Sequence, residues 1–128
     1  MFLQDKKAAQ ATTKQRGDAA EAAALAHLQA AGLVLVARNY RTPGRGGGEI
    51  DLVMRDARDD TLVFVEVRQR ASGTHGGAGG SITGAKQRRI VFAARHYLMK
   101  LRVLPPCRFD VVLVEAGIEW LQGAFDAG

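Results

Sequence analysis

The chain has 128 residues, of which 47% are hydrophobic and 24% charged, which suits one soluble domain able to bury a real core. Its formal net charge of +5 favours polyanionic partners such as nucleic acid, although a merely soluble basic protein has the same balance. The single cysteine, Cys107, excludes an intrachain disulfide and fits a reducing compartment.

Met1–Gln15 is polar and aperiodic and reads as a mobile arm before a single domain over Arg16–Gly128. The arm lacks the apolar run of a signal peptide. The most apolar stretch, Ala22–Ala37, is interrupted by His27, Gln29 and Gly32 and is too short to span a bilayer. A cytoplasmic chain with no membrane association is expected. Helix signals start near Gly17–Asp18, with Asp18 as the cap, and the alanine-rich run carries the helix to Ala31. Gly32 is placed to end it in a left-handed conformation.

Leu33–Ala37 reads as a buried strand continuing toward Tyr40. Pro43 and the run Gly44-Arg45-Gly46-Gly47-Gly48 make a loop. Glu49–Met54 alternates as a strand, Arg55–Asp60 is a charged turn, and Thr61–Arg70 is a second, valine-rich strand. These two strands are expected to pair as an antiparallel hairpin. Ala71–Gly80 is a glycine-dominated loop, read as mobile. Ile90, Ala94, Tyr97 and Leu101 set helical spacing over Thr83–Lys100, and Pro105-Pro106 breaks the chain. Arg108–Glu115 is a further strand and Ile118–Leu121 a short one. The order predicts an α/β fold with a central mixed sheet flanked by helices.

Strand geometry draws attention to the acids. Alternate strand residues share a face, so Glu49, Asp51 and Val53 point one way and Ile50, Leu52 and Met54 the other. Leu62, Phe64, Glu66, Arg68 and Arg70 share a face of the next strand. Glu66 thus sits mid-strand, flanked by Val65 and Val67. With a turn centred near Arg58–Asp59, Asp51 lies opposite Glu66. Paired carboxylates repel unless something compensates them. Magnesium is a suitable partner because it takes one or two protein carboxylates and fills its other positions with water and phosphate oxygens. The alternative for Glu66 is a structural ion pair with Arg68, Arg70 or Arg41. A closed zinc site is disfavoured, since His27, His75, His96 and Cys107 show no paired spacing.

Two further residues are candidates. Glu21 falls on one helical stripe with Leu25 and Leu28, which is unusual for an acid; alternatively it lies in the first turn, favoured by the helix dipole. Lys86 falls on the stripe of Ile90, Ala93 and Tyr97, where it could reach a phosphate or an attacking water; alternatively it is a solvated helix start beside Arg88-Arg89.

The segment GEIDLV, a turn, and FVEVRQR resemble the PD-(D/E)xK signature of the restriction-endonuclease-like superfamily. From Arg16 to Phe125 the chain is similar to the YraN-like family of small bacterial proteins. The matching pieces are Gly17 with Ala20-Glu21, Arg38-Asn39-Tyr40-Arg41, Gly48–Leu52, Phe64–Arg70, Gly76, Lys86, Arg108–Val112, and Trp120 with Ala124-Phe125. The resemblance implies a restriction-endonuclease-like fold and metal-dependent phosphodiester cleavage. It extends to archaeal Holliday-junction resolvases, which also place a glutamate on the first helix. Carried over, Asp51 and Glu66 ligate magnesium or manganese, and Glu21 assists from the helix. The chain departs from the signature at Arg68, which stands where the motif lysine belongs. Arginine cannot act as a base near neutral pH but can stabilise a charged transition state. Lys86 could take the lysine's place.

The expected function is a metal-dependent nuclease acting on DNA, on branched or recombination intermediates. Arg41, Arg45, Arg70, Arg88 and Arg89 are expected to contact backbone phosphates. Cutting both strands of a duplex needs two sites, which makes a homodimer one expectation. The rival is a non-catalytic nucleic-acid binding module that keeps the same fold. A nucleotide-binding P-loop is disfavoured, because Ala85 precedes Lys86 where glycine is needed and Gln87 replaces the hydroxyl residue.

Overall fold

Polar residues start the first helix in the computed structural model, which describes residues 12–69 and 82–128. Helix α1 spans Thr13–Ala30. Thr12 caps it by accepting from the Gln15 amide at 3.0 Å, and the Gln15 side chain accepts from the Thr12 amide at 2.8 Å. This reciprocal box satisfies two amides that the helix start would otherwise leave unpaired. The helix therefore begins before the Gly17–Asp18 start expected from its alanine run. Asp18 lies within it and pairs with Lys14 at 2.8 Å on the exposed face instead of capping. Ala20, Ala24 and Leu28 form its buried stripe. The small residues let the helix lie close to the sheet. Gly32 follows with φ +101°, as a helix stop requires.

The remaining elements are β1 (Leu33–Arg41), β2 (Glu49–Asp56), β3 (Leu62–Gln69), α2 (Gly84–Leu98), β4 (Cys107–Val114) and β5 (Ile118–Phe125). They form one five-stranded sheet in the order β1-β2-β3-β4-β5. Only β3 and β4 are parallel, joined through α2; the other neighbours are antiparallel. The fold is thus mixed α/β. The readings for residues 1–11, Arg70 and the 71–80 loop lie outside the described residues.

Each helix covers its own core. Leu62, Phe64, Phe109 and Val111 pack with Ile90, Ala93 and Ala94 of α2. Val63, Val65, Leu52 and Met54 pack with Ala24 and Leu28 of α1. Successive β3 residues therefore enter opposite layers, as strand alternation demands. Phe64, Phe109 and Phe125 stack with centroid separations of 5.5 and 5.0 Å, tying β3, β4 and β5 together. Burying one such ring contributes about 2–3 kcal/mol.

Two expectations change. β1 is an edge strand, with Val34 and Val36 each 42% exposed, and not a buried one. An apolar run alone does not distinguish the two settings. In β2, Ile50 packs in the same core as Val53, while Leu52 packs in the other. Strict alternation therefore fails across Ile50-Asp51. This is where β2 and β3 part company: their ladder ends at the Leu52–Val65 pair.

Candidate active site

Where the β2–β3 ladder ends, a side chain replaces the backbone partner. The Val67 amide donates to Asp51 Oδ2 at 2.8 Å. The ladder stops one residue short of Asp51, yet the Asp51 and Glu66 carboxyls, expected to face each other from a turn at Arg58–Asp59, come within hydrogen-bonding reach as side chains. Glu66 is 5% exposed. Its Oε2 lies 3.4 Å from Lys86 Nζ, which α2 delivers from the facing layer. Its Oε1 is buried without a hydrogen-bond partner. Thr83 orients the start of α2 by accepting from the Lys86 amide at 3.1 Å.

The charge balance of this cluster is incomplete. Two carboxylates face one ammonium, which leaves one negative charge uncompensated in a buried setting. Burial first, then repulsion from Asp51, pushes Glu66 up to about 7, against an opposing effect of Lys86. Burial also raises Asp51, and the Val67 amide resists that rise. Without another cation the two carboxyls are close enough to share a proton.

Glu21 occupies the middle of α1, not its first turn, because the helix starts at Thr13. Its side chain is 13% exposed. Its Oε1 accepts from Arg38 and from the Asn39 amide nitrogen, each at 3.2 Å. Asn39 has φ +50°, a left-handed backbone that asparagine tolerates better than most residues. Glu21 is near enough to raise Asp51 electrostatically. Among the described residues, no group of three or more His, Cys, Asp or Glu side chains is arranged to hold a metal ion. Glu21 is thus a neighbour held by Arg38 and Asn39, while Asp51 and Glu66 form the intimate pair.

A cleft of about 290 Å³ runs between α1 and the sheet, lined by Glu21, Asn39, Arg41, Glu49, Asp51 and Val67. Asp51 is the link from this cleft to the buried Glu66–Lys86 pair. Arg41 pairs with Glu49 at 3.3 Å, so neither it nor the half-buried Arg68 is the ion-pair partner of Glu66. Arg68 lies beside Leu113 of β4. Arg89 and Arg41 line a second cavity with the glycine loop, and Arg45 of that loop is exposed and does not line it. Arg88 faces a separate groove with Val91, Phe92 and Arg95. Arg70 is outside the described residues.

Sequence reasoning assigned no role to Arg38, Asn39 or Tyr40 individually. The first two hold Glu21, and the Tyr40 hydroxyl meets His96 Nδ1 at 2.6 Å, fixing the edge strand to α2. It also missed two buried acids remote from the cleft. Asp110 accepts from Arg108 Nε, Trp120 Nε1 and the Gly123 amide. Asp56 accepts from Arg58, which holds its carboxyl far below the usual range. These acids are satisfied by donors, whereas Oε1 of Glu66 is not.

No helix among the described residues is long and apolar enough to cross a membrane. The family model described as "Uncharacterised protein family UPF0102" matches residues 20–114. A UPF0102 protein of Albidiferax ferrireducens is 72% identical over 117 residues, covering 91% of each chain. One from Paracidovorax citrulli is 71% identical over 118 residues, covering 91% of this chain and 87% of its own. One from Methylibium petroleiphilum is 62% identical over 120 residues, covering 91% of this chain and 98% of its own. The chain belongs to the UPF0102 family.

Proposed function

We propose that this protein is a metal-dependent nuclease of restriction-endonuclease-like architecture, hydrolysing DNA phosphodiester bonds at Asp51, Glu66 and Lys86. The observation that carries this reading is the buried Glu66 carboxyl, with Oε1 unpartnered beside Asp51 and Oε2 at 3.4 Å from Lys86. An acid pair with one charge in excess fits a divalent cation such as magnesium or manganese, which would be held by Asp51 and Glu66. When bound, that ion supplies polarisation of a phosphate oxygen and a more acidic water.

The chain's own groups do the rest. The Val67 amide fixes the Asp51 carboxylate. Lys86 stays at the acid pair and offers its ammonium protons to a phosphate oxygen or to the attacking water, balancing developing negative charge. It thereby takes the place that the motif gives to a lysine at position 68. Glu21 adds negative charge at the cleft and is held in place by Arg38 and Asn39. Branched or recombination DNA is the substrate that the resemblance to junction resolvases favours.

Incubation of pure protein with supercoiled plasmid tests this. Nicking is expected with magnesium and not with a chelator, and it is expected to vanish in Asp51→Asn, whose amide oxygen still accepts from Val67. The ion pair between Lys86 and Glu66 also supports a second reading, a binding module without turnover, because it stabilises Glu66 in part without metal. Binding that survives Asp51→Asn, with no cleavage by the wild type, would select that reading.

A further inference from the structure

The Arg41–Glu49 ion pair stands between two cavities, since both residues line both of them. One is the acid cleft. The other has a volume of about 380 Å³, and its walls are mostly the backbone of the glycine loop, with Thr42 and Arg89. This loop is tightly built. A Cβ on Gly48 would lie 1.9 Å from the Arg89 carbonyl oxygen, and one on Gly47 would lie 2.2 Å from Thr42 Oγ1. Thr42 is 8% exposed, and its hydroxyl accepts from the Gly48 amide at 2.7 Å. Gly46 has φ +68°, open to glycine at no steric cost. The loop is therefore pressed onto α2, and its glycines leave much of the polar hollow's wall as exposed backbone.

The charge of the hollow is positive. Arg41 and Arg89 line it against the single acid Glu49. Among the described residues Arg89 and Arg45 form no ion pair, and Arg41 is 75% exposed, so its bond to Glu49 is easily exchanged for another anion. A guanidinium beside closely approachable backbone suits a phosphate oxyanion.

We propose that the glycine-loop cavity binds the backbone phosphate next to the one at the acid pair, with Arg89 as its anchor and Arg41 as the group shared between neighbouring sites. The inference rests on the nuclease reading for what occupies the acid cleft, and it adds where the strand's neighbouring phosphate is held. A strand leaving the cleft past Arg41 meets the glycine loop directly.

The test measures affinity of the full chain for a short fluorescein-labelled DNA duplex in chelator, as a function of salt. Arg89→Ala is expected to weaken binding several-fold at low salt and to reduce the log–log salt slope by about 0.9, the value for one lost phosphate contact. Arg89→Lys is expected to keep most of the slope. Arg102→Ala, which removes the same charge from the turn after α2, is expected to leave it unchanged. An unchanged slope in Arg89→Ala, or an equal drop in Arg102→Ala, overturns the assignment. If Arg89→Ala fails to fold, the wild-type amide resonances decide. Shifts at Gly46, Gly47 and Gly48 on adding duplex support the cavity, and their absence refutes it. Cleavage is read separately with magnesium. A chain that shows the Arg89-dependent slope but never cuts retains this site and loses the nuclease reading. One that cuts with an Arg89-independent slope loses this site alone.

Discussion

Lys86 Nζ lies 3.4 Å from Glu66 Oε2, so helix α2, and not strand β3, supplies the cation beside the buried acid. Both acids feel Lys86 among the charges that set their protonation. Under the proposed nuclease function, Lys86→Ala should therefore lower the cleavage rate by about 10²–10³, the cost of losing one preorganised electrostatic donor. Arg68→Ala should cost less, because Arg68 is not the ion-pair partner of Glu66. Single-turnover plasmid nicking by the two variants measures the order.

The acid pair also makes the metal-free protein sensitive to pH. Glu66 is held near 7 in the folded chain, against an ordinary 4.5. Between those values the folded state keeps a proton that the unfolded chain releases. Stability is therefore highest below the lower value and falls as pH rises through the upper one. The full effect amounts to about 3 kcal/mol. Asp51 shifts in the same direction, and the two carboxyls titrate as a pair. Urea midpoints in chelator, measured below and above this window, should fall for the wild type and change much less for Glu66→Gln.

Asn39 joins backbone conformation to the site, since its left-handed φ of +50° aims its amide at Glu21. Asn39→Ala loses that hydrogen bond and places a less tolerant residue in a left-handed conformation. A destabilisation of about 1–2 kcal/mol is expected. Asn39→Gly removes the same bond but suits the backbone, and should cost less. Chemical denaturation of both variants separates the backbone cost from the hydrogen bond.

Asp110 is fully buried with Arg108, Trp120 and Gly123 donating to it, on the sheet face opposite Glu66. Asp110→Ala leaves Trp120 Nε1 and the Gly123 amide without their acceptor and leaves Arg108 only its longer contact with Asp56 at 3.8 Å, and should cost about 3–5 kcal/mol, the range for breaking a buried ion pair. Thermal denaturation followed through Trp120 fluorescence reads this directly.

The hairpin was legible because a turn centred at Arg58–Asp59 fixes register. The observed Leu52–Val65 and Val53–Phe64 pairs follow from it, and the Asp51 and Glu66 side chains meet just past the end of that ladder. The second helix was legible from its apolar stripe, which also places Lys86 on the inward side. The start of α1 was missed because residues 12–16 carry no apolar periodicity; the Thr12–Gln15 capping box was the available signal. The edge position of β1 and the face switch at Ile50 depend on strand order and on where β2 leaves β3. Neither is encoded in a local pattern. The choice of Lys86 over Arg41 or Arg68 as the partner of Glu66 is tertiary for the same reason.

Manganese binding tests the central claim most directly, because it reads the Asp51–Glu66 pair independently of turnover. Titration followed by electron paramagnetic resonance is predicted to show one manganese ion per wild-type chain, and severe loss of binding in Asp51→Asn and in Glu66→Gln. Equal manganese binding by the folded wild type and both variants would contradict the account.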